Sequence, residues 1–188
     1  MHPLPNLIVI YAFIVMGIGF TWIIAKLIFK EGGLWGKPSI NPWLFYSGKI
    51  ALFISWGLTL IRGIVPTFGW VETPLWMSWT GACLLVAGTI VLMLSFFQLG
   101  ASLRYGLPEK ETRLITTGLY RYSRNPLYMG VFIISFACII FFPNIINIIV
   151  GLHCIIMQLL MIKGEEKFLA ATFGAEWEAY RKKVRRFV

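Results

Sequence analysis

The sequence predicts an all-α fold: a polytopic membrane helix bundle of five transmembrane helices, the last two a helical hairpin, followed by amphipathic C-terminal helices. Three observations lead there. Of the 188 residues, 58% are hydrophobic, and the mean hydropathy is +0.76. Charged residues make up 13%, where a soluble domain carries about a quarter. The apolar residues also gather in runs close to the roughly 20 residues that a membrane helix needs. The length suits one membrane domain over residues 1–188 rather than two domains.

The first span is expected over residues 4–29. The opening MHPLPNLIVIYAFIVMG has no basic n-region and no small-residue cleavage site. Its apolar run continues to Leu27, beyond the about 7–15 residues of a signal h-region, so it reads as a retained helix. Residues 44–65 supply the second span, closed by Pro66, and residues 75–99 the third. From Asn125 to Ile162 there is no formal charge, a stretch too long for one crossing. Pro143-Asn144 breaks it, since proline cannot continue a helix interior. The hairpin is therefore 126–142 and 144–162, with the first arm short for a full crossing.

Five crossings put the termini on opposite sides. The positive-inside rule then chooses the orientation. With the N-terminus outside and the C-terminus cytoplasmic, every Lys and Arg except Arg62 falls on the cytoplasmic side or within its edge, Lys26, Lys30, Lys37 and Lys49 included. This asymmetry accounts for the net charge of +9 without nucleic acid, for which no soluble basic domain exists. The short loops fit a prokaryotic cell membrane. Cys83, Cys138 and Cys154 lie in apolar stretches without metal-ligand spacing, so they read as buried free thiols and no metal is expected.

Two long non-spanning pieces face the cytoplasm: a loop over 100–125 and a tail over 163–188. The loop ends in YRYSRNPLYMG. Asn125 is a favoured N-cap and Pro126 fits the first helical turn. The fourth helix thus starts here, with free N–H groups that attract anions, reinforced by Arg121 and Arg124. Tyr120, Tyr122 and Tyr128 offer ring faces for a cation or a purine, and Gly130 allows a close approach to the backbone. The plain alternative is an interface belt, because Tyr and Arg commonly mark the headgroup level.

The tail, KGEEKFLAATFGAEWEAYRKKVRRFV, argues for more. Glu165 and Glu166 sit at the level of those arginines, where anionic headgroups would repel them. Arg121, Arg124 or a bound cation are the expected partners. Leu169, Phe173, Trp177, Tyr180 and Val184 form an amphipathic stripe, with Gly174 able to split it into two helices. The stripe suits a helix lying on acidic lipid, or a lid folded over the loop.

LITTGLYRYSRNPLYMG, followed about 35 residues on by EEKFLAATFGAEWEAY, resembles the isoprenylcysteine carboxyl methyltransferases and their prokaryotic relatives, and phospholipid N-methyltransferases share much of the pattern. The resemblance covers roughly residues 99–184. It implies S-adenosyl-L-methionine as methyl donor, S-adenosylhomocysteine as product, and a lipophilic methyl acceptor or lipid at the cytoplasmic face. Carried over, the cofactor contacts fall on Thr112, Arg113, Leu114, Ile115, Tyr120, Asn125, Pro126, Leu127, Tyr128 and Glu165, with Tyr105 if the loop is ungapped. Glu166, or Glu165, is the candidate proton acceptor, and Arg124 the candidate to hold the cofactor carboxylate or the acceptor. No covalent intermediate is implied, and no obligate protein partner.

The chain departs from the family at two places. Asn125 stands where the family has His. Met161 stands where the carboxyl methyltransferases have an arginine implicated in orienting the substrate carboxylate. The second departure directs the acceptor away from a prenylcysteine carboxylate, towards an amine, thiol, phenol or different carboxylate on a lipophilic molecule. Two other readings stay open: an NADPH-dependent sterol or lipid reductase with a similar Asn–Pro–x–Tyr segment, and a non-enzymatic membrane protein, for which His153 and Gln158 would be the mid-membrane polar groups.

Overall fold

The computed structural model describes residues 3–30, 36–100, 106–107 and 113–188, with the side chains of 26–30 outside the description. Among the described residues six α-helices carry the fold: α1 Pro3–Lys30, α2 Pro42–Ile64, α3 Leu75–Leu99, α4 Pro126–Phe141, α5 Ile145–Phe173 and α6 Ala175–Lys183. Short 3-10 turns stand at Phe68–Trp70 and Gly118–Arg121. Among the described residues four helices are long and apolar enough to cross a membrane, and α4 is a shorter apolar helix. The chain is a polytopic helical membrane bundle.

Local chemistry sets most of the boundaries. Asn41 accepts from the Trp43 N–H with Pro42 in the first turn, and Asn144 accepts from the Ile146 N–H. Both are standard N-caps for orphan donors. Pro143-Asn144 does turn the hairpin between α4 and α5. At α4 the expectation of a side-chain cap fails: Asn125 occupies the N-cap position but makes no capping bond, because its side chain is drawn elsewhere. With 16 residues, α4 rises about 24 Å, short of a hydrocarbon core of about 30 Å.

The largest difference from expectation is α5. It does not stop near Ile162 but runs on to Phe173 as one helix of 29 residues. Nothing in IKGEEKFLAATF breaks a helix; Gly174, at φ +48°, does. The double glutamate therefore sits on a rigid extension of the last span, and only α6 folds back.

Successive helices alternate in direction. The start of α1 meets the end of α2, with Asn6, Val9 and Ile10 around Gly63. The start of α3 meets the end of α4 at Gly81 and Phe141. The start of α2 meets α5 near its lower half, where Ser39 touches Gly164. One end of the bundle, the tail end, thus collects the starts of α2 and α4 and the close of α5. The far end holds Arg62 and the Phe68–Trp70 turn.

Helices α3 and α4 approach most closely. A Cβ on Gly130 would lie 2.7 Å from the Leu92 N, and one on Gly88 would lie 3.0 Å from the Ile134 N. Small residues permit such backbone contact in membranes. Gly130 is therefore filled by α3 and does not open the α4 backbone to a ligand, as the sequence had suggested.

The main core is apolar and includes Val9, Leu52, Trp56, Leu85, Leu92, Ile134 and Phe141. It is pinned by one polar knot. Asn147, fully buried, accepts from Ser55 Oγ at 2.7 Å and donates to the carbonyls of Cys138 and Phe142, both at 2.9 Å. That satisfies the open carbonyls at the end of α4 and ties the hairpin to α2. Cys138 and Cys154 are buried free thiols as expected, while Cys83 is exposed on the outside of the bundle.

Candidate functional site

Two neighbouring clusters lie at the tail end, and the two glutamates divide between them. Adjacent residues on a helix point about 100° apart, so Glu165 and Glu166 cannot face the same way.

Glu166 faces the tail. Its Oε1 accepts from Arg124 Nε at 3.2 Å, Arg124 Nη2 at 3.1 Å and Asn125 Nδ2 at 3.1 Å. Its Oε2 accepts from Arg186 Nε at 3.0 Å and Nη2 at 2.5 Å. The Glu166 and Arg124 side chains are about nine-tenths buried, whereas Arg186 is largely open. Arg124 Nη1 also donates to the Arg181 and Val184 carbonyls, each at 3.1 Å, and its guanidinium lies 5.7 Å from the Trp177 ring centroid.

The backbone completes the clasp. The Arg124 N–H donates to the Arg185 carbonyl at 3.0 Å, Ser123 Oγ to the Arg186 carbonyl at 3.1 Å, and Tyr180 Oη to the Tyr120 carbonyl at 2.6 Å. The tail is thus fastened over the segment preceding α4. Burial pushes the Tyr180 phenol up to about 12, against the pull of the Arg124 charge. Bonding to Glu166 raises the affinity of Arg186 for its proton.

Glu165 faces inward. Tyr128 Oη donates to its Oε1, and it interacts electrostatically with Lys49 on α2 and with Tyr120. Tyr120 and Tyr128 are buried. Burial, and then the Glu165 charge, push the Tyr120 phenol above its ordinary range, so it stays neutral. Around this group stands a second apolar cluster of Phe45, Tyr128, Met157, Met161 and Ile162.

Met161, Gln158 and Cys154 continue the Glu165 face along α5 at helical spacing. Gln158 Nε2 reaches only Cys154 Sγ, at 4.0 Å, and its Oε1 is buried with no partner among the described residues. His153, by contrast, pairs with Ser47 Oγ at 3.1 Å.

The predicted site residues are therefore sorted as follows. Tyr120, Tyr128 and Glu165 come together inside the mouth. Asn125, Arg124 and Glu166 come together in the clasp. Pro126 is buried at the first turn of α4, and Leu127 packs on the main core. Arg113 is exposed, with Leu114 and Ile115 half-buried. Tyr105 and Thr112 lie outside the described residues. Arg121 is exposed, and Arg186, not Arg121, joins Arg124 on Glu166.

As placed, both Glu166 oxygens are filled by five donors. Lys49, counted in the sequence only as a cytoplasmic charge, lies close enough to Glu165 to interact with it. A lysine inside an apolar span is itself a signal, since a charge there is costly and needs a partner.

Beside the mouth, Met129, Phe132 and Ile133 of α4, Ile155 and Leu159 of α5, and Phe187 of the tail line an apolar groove with a cavity volume of about 390 Å³. Phe187 stacks edge-on to Phe132 with centroids 5.9 Å apart. The tail that is clasped by Glu166 thus also forms part of the groove wall.

Comparison with known proteins places this architecture. The chain is 33% identical over 111 residues to protein-S-isoprenylcysteine O-methyltransferase of Dictyostelium discoideum, matching 56% of this chain and 46% of that protein. It is 33% identical over 93 residues to the protein of the same name in Schizosaccharomyces pombe, matching 48% of this chain and 37% of that protein. The match thus spans less than half the length of either relative. The phospholipid methyltransferase family model matches residues 76–176, which include α3, the loop, the α4–α5 hairpin, both glutamates and the start of α6. The chain belongs to the phospholipid methyltransferase family.

Proposed function

We propose that the chain is an S-adenosylmethionine-dependent membrane methyltransferase acting on a lipophilic acceptor at its cytoplasmic, tail-end face. The observation that carries this reading is the gathering of Tyr120, Tyr128 and Glu165 beneath a tail clasped by Glu166.

The residues present fit that cofactor. It carries an ammonium, a carboxylate, a sulfonium and an adenine. Glu165 suits the ammonium, Lys49 on the opposite wall suits the carboxylate, and the faces of Tyr120, Tyr128 and Phe45 suit the sulfonium and the purine. The unpartnered Gln158 Oε1 supplies a further acceptor aimed inside the bundle, where an unmet polar group is costly. When bound, S-adenosylmethionine supplies an activated methyl group for in-line transfer.

The chain's part is alignment and water exclusion. The α4–α5 groove admits a lipid chain from the bilayer side. Glu165, with its hydrogen bond from Tyr128, holds and orients a cation. Glu166 and Arg124 keep the tail closed over the loop and take no proton. Met161, fully buried among apolar side chains, offers no charge to a substrate carboxylate. The acceptor is therefore a lipophilic amine, thiol or phenol, or a carboxylate held by another group, rather than the carboxylate of a prenylated cysteine.

Titration of the detergent-solubilised protein with S-adenosylhomocysteine tests the reading. Saturable binding is expected, with none for NADPH under the same conditions. Binding of NADPH without S-adenosylhomocysteine would replace the methyltransferase by a reductase.

A further inference from the structure

Among the described residues, Arg62 is the one arginine or lysine placed at the far end by both the charge pattern and the packing. It is 5% exposed. Its Nη1 donates to the Phe68 carbonyl at 2.9 Å and its Nη2 to the Val71 carbonyl at 2.7 Å, while its guanidinium lies 5.7 Å from the Phe142 ring centroid. These partners are neutral, and among the described residues no carboxylate pairs with it. A guanidinium is always protonated, and a buried charge without a counter-ion is expensive.

The same guanidinium lines a cavity of about 110 Å³ together with Asn6, Thr73 and Ser78. Thr73 Oγ1 is buried there without any hydrogen-bond partner. Two independent features therefore converge on one hollow: a positive charge lacking an anion and a hydroxyl lacking an acceptor.

We propose that this hollow binds an oxyanion, the phosphate of a phospholipid headgroup. The cavity has room for a group of that size, whereas one water needs about 10–15 Å³. Arginine's forked donors match phosphate oxygens in pairs. The site stands at the end of α2 and the beginning of α3, where two spans end and lipid phosphate is the abundant oxyanion. It is a bundle length away from Glu165 and is separate from the proposed methyl-transfer site.

The test uses the full-length protein in detergent, with melting temperature as the readout. The probes are dioctanoyl phosphatidylglycerol, dioctanoylglycerol and inorganic phosphate. The phospholipid is expected to raise the melting temperature saturably and the phosphate-free diacylglycerol to leave it unchanged. Thr73→Val should melt like the parent without lipid and bind the phospholipid about tenfold more weakly, the value of one hydrogen bond to a charged group. Arg62→Gln should weaken binding further. If Arg62→Gln fails to fold through loss of the carbonyl bonds, Thr73→Val decides alone. Inorganic phosphate binding as tightly as the phospholipid would overturn the headgroup assignment. Absence of a phosphate-dependent shift in the parent, or unchanged binding by Thr73→Val, would overturn the site.

Discussion

At the far end, Arg62 braces the bundle through acceptors six and nine residues away in sequence, Phe68 and Val71. At the tail end, Glu166 joins donors 20, 41 and 42 residues away, on Arg186, Asn125 and Arg124. The far-end bonds form within one local turn and are available as soon as α2 and that turn fold. The tail-end bonds exist only when the loop, α5 and the tail have all docked. Both ends bury an arginine, but only one gives it a carboxylate. Local bracing suits a fixed wall. Long-range fastening through a few charge-assisted bonds suits a cover that can detach as a unit, which the proposed cofactor mouth would require.

Breaking the clasp should have the largest effect. Glu166→Ala leaves Arg124 buried without its partner, and removing one member of a buried pair costs about 3–5 kcal/mol. The expected outcome is a clearly lower melting temperature in detergent together with rapid proteolytic cutting of the tail after Gly174. An intact, protected tail would mean that the clasp contributes little.

A smaller effect is expected from Arg186→Ala. That side chain is 43% exposed, and exposed pairs contribute about 0–1 kcal/mol. Its deletion should loosen the tail in proteolysis with little change in melting. A loss as large as that of Glu166→Ala would place the fastening on Arg186 rather than on buried Arg124.

The smallest effect concerns pH. The Tyr180 phenol donates to the Tyr120 carbonyl and is raised to about 12. A raised phenol contributes stability that is complete below its unfolded value of about 10 and is lost as pH climbs through its folded value. Between those limits the α6 contact should weaken. Absorbance titration comparing the parent with Tyr180→Phe checks this: the parent should show one extra, late phenolate transition.

The same contrast explains what the sequence made legible. The spans, the Pro143-Asn144 turn and the Gly174 break follow from apolar run length and backbone chemistry, which are local properties. The family motif led to the expectation that Tyr120, Asn125, Tyr128 and Glu165 share one hollow; Tyr128 bonds Glu165 and Tyr120 lies near it, whereas Asn125 bonds Glu166 instead. The extension of α5 to Phe173 was not foreseen, because charges were taken to end a helix that only Gly174 stops. The Asn125 cap was overridden by a carboxylate 41 residues away, and the pairing of Arg186 with Glu166 depends on where the tail docks. Lys49 looked like an edge charge until α2 was packed against α5. For Asn125, Arg186 and Lys49 a long-range contact outcompeted a local expectation, whereas the length of α5 was set locally, by where the first helix-breaking glycine conformation falls.

The central claim is that adjacent glutamates serve different ends, Glu165 holding the ligand and Glu166 holding the tail. Calorimetric titration of S-adenosylhomocysteine into the parent and Glu165→Gln, with melting curves for each, tests it most directly. The account predicts binding weakened about tenfold or more in Glu165→Gln, the scale of one lost charged contact, with a nearly unchanged melting temperature. Parent-like affinity in a folded Glu165→Gln protein would contradict it.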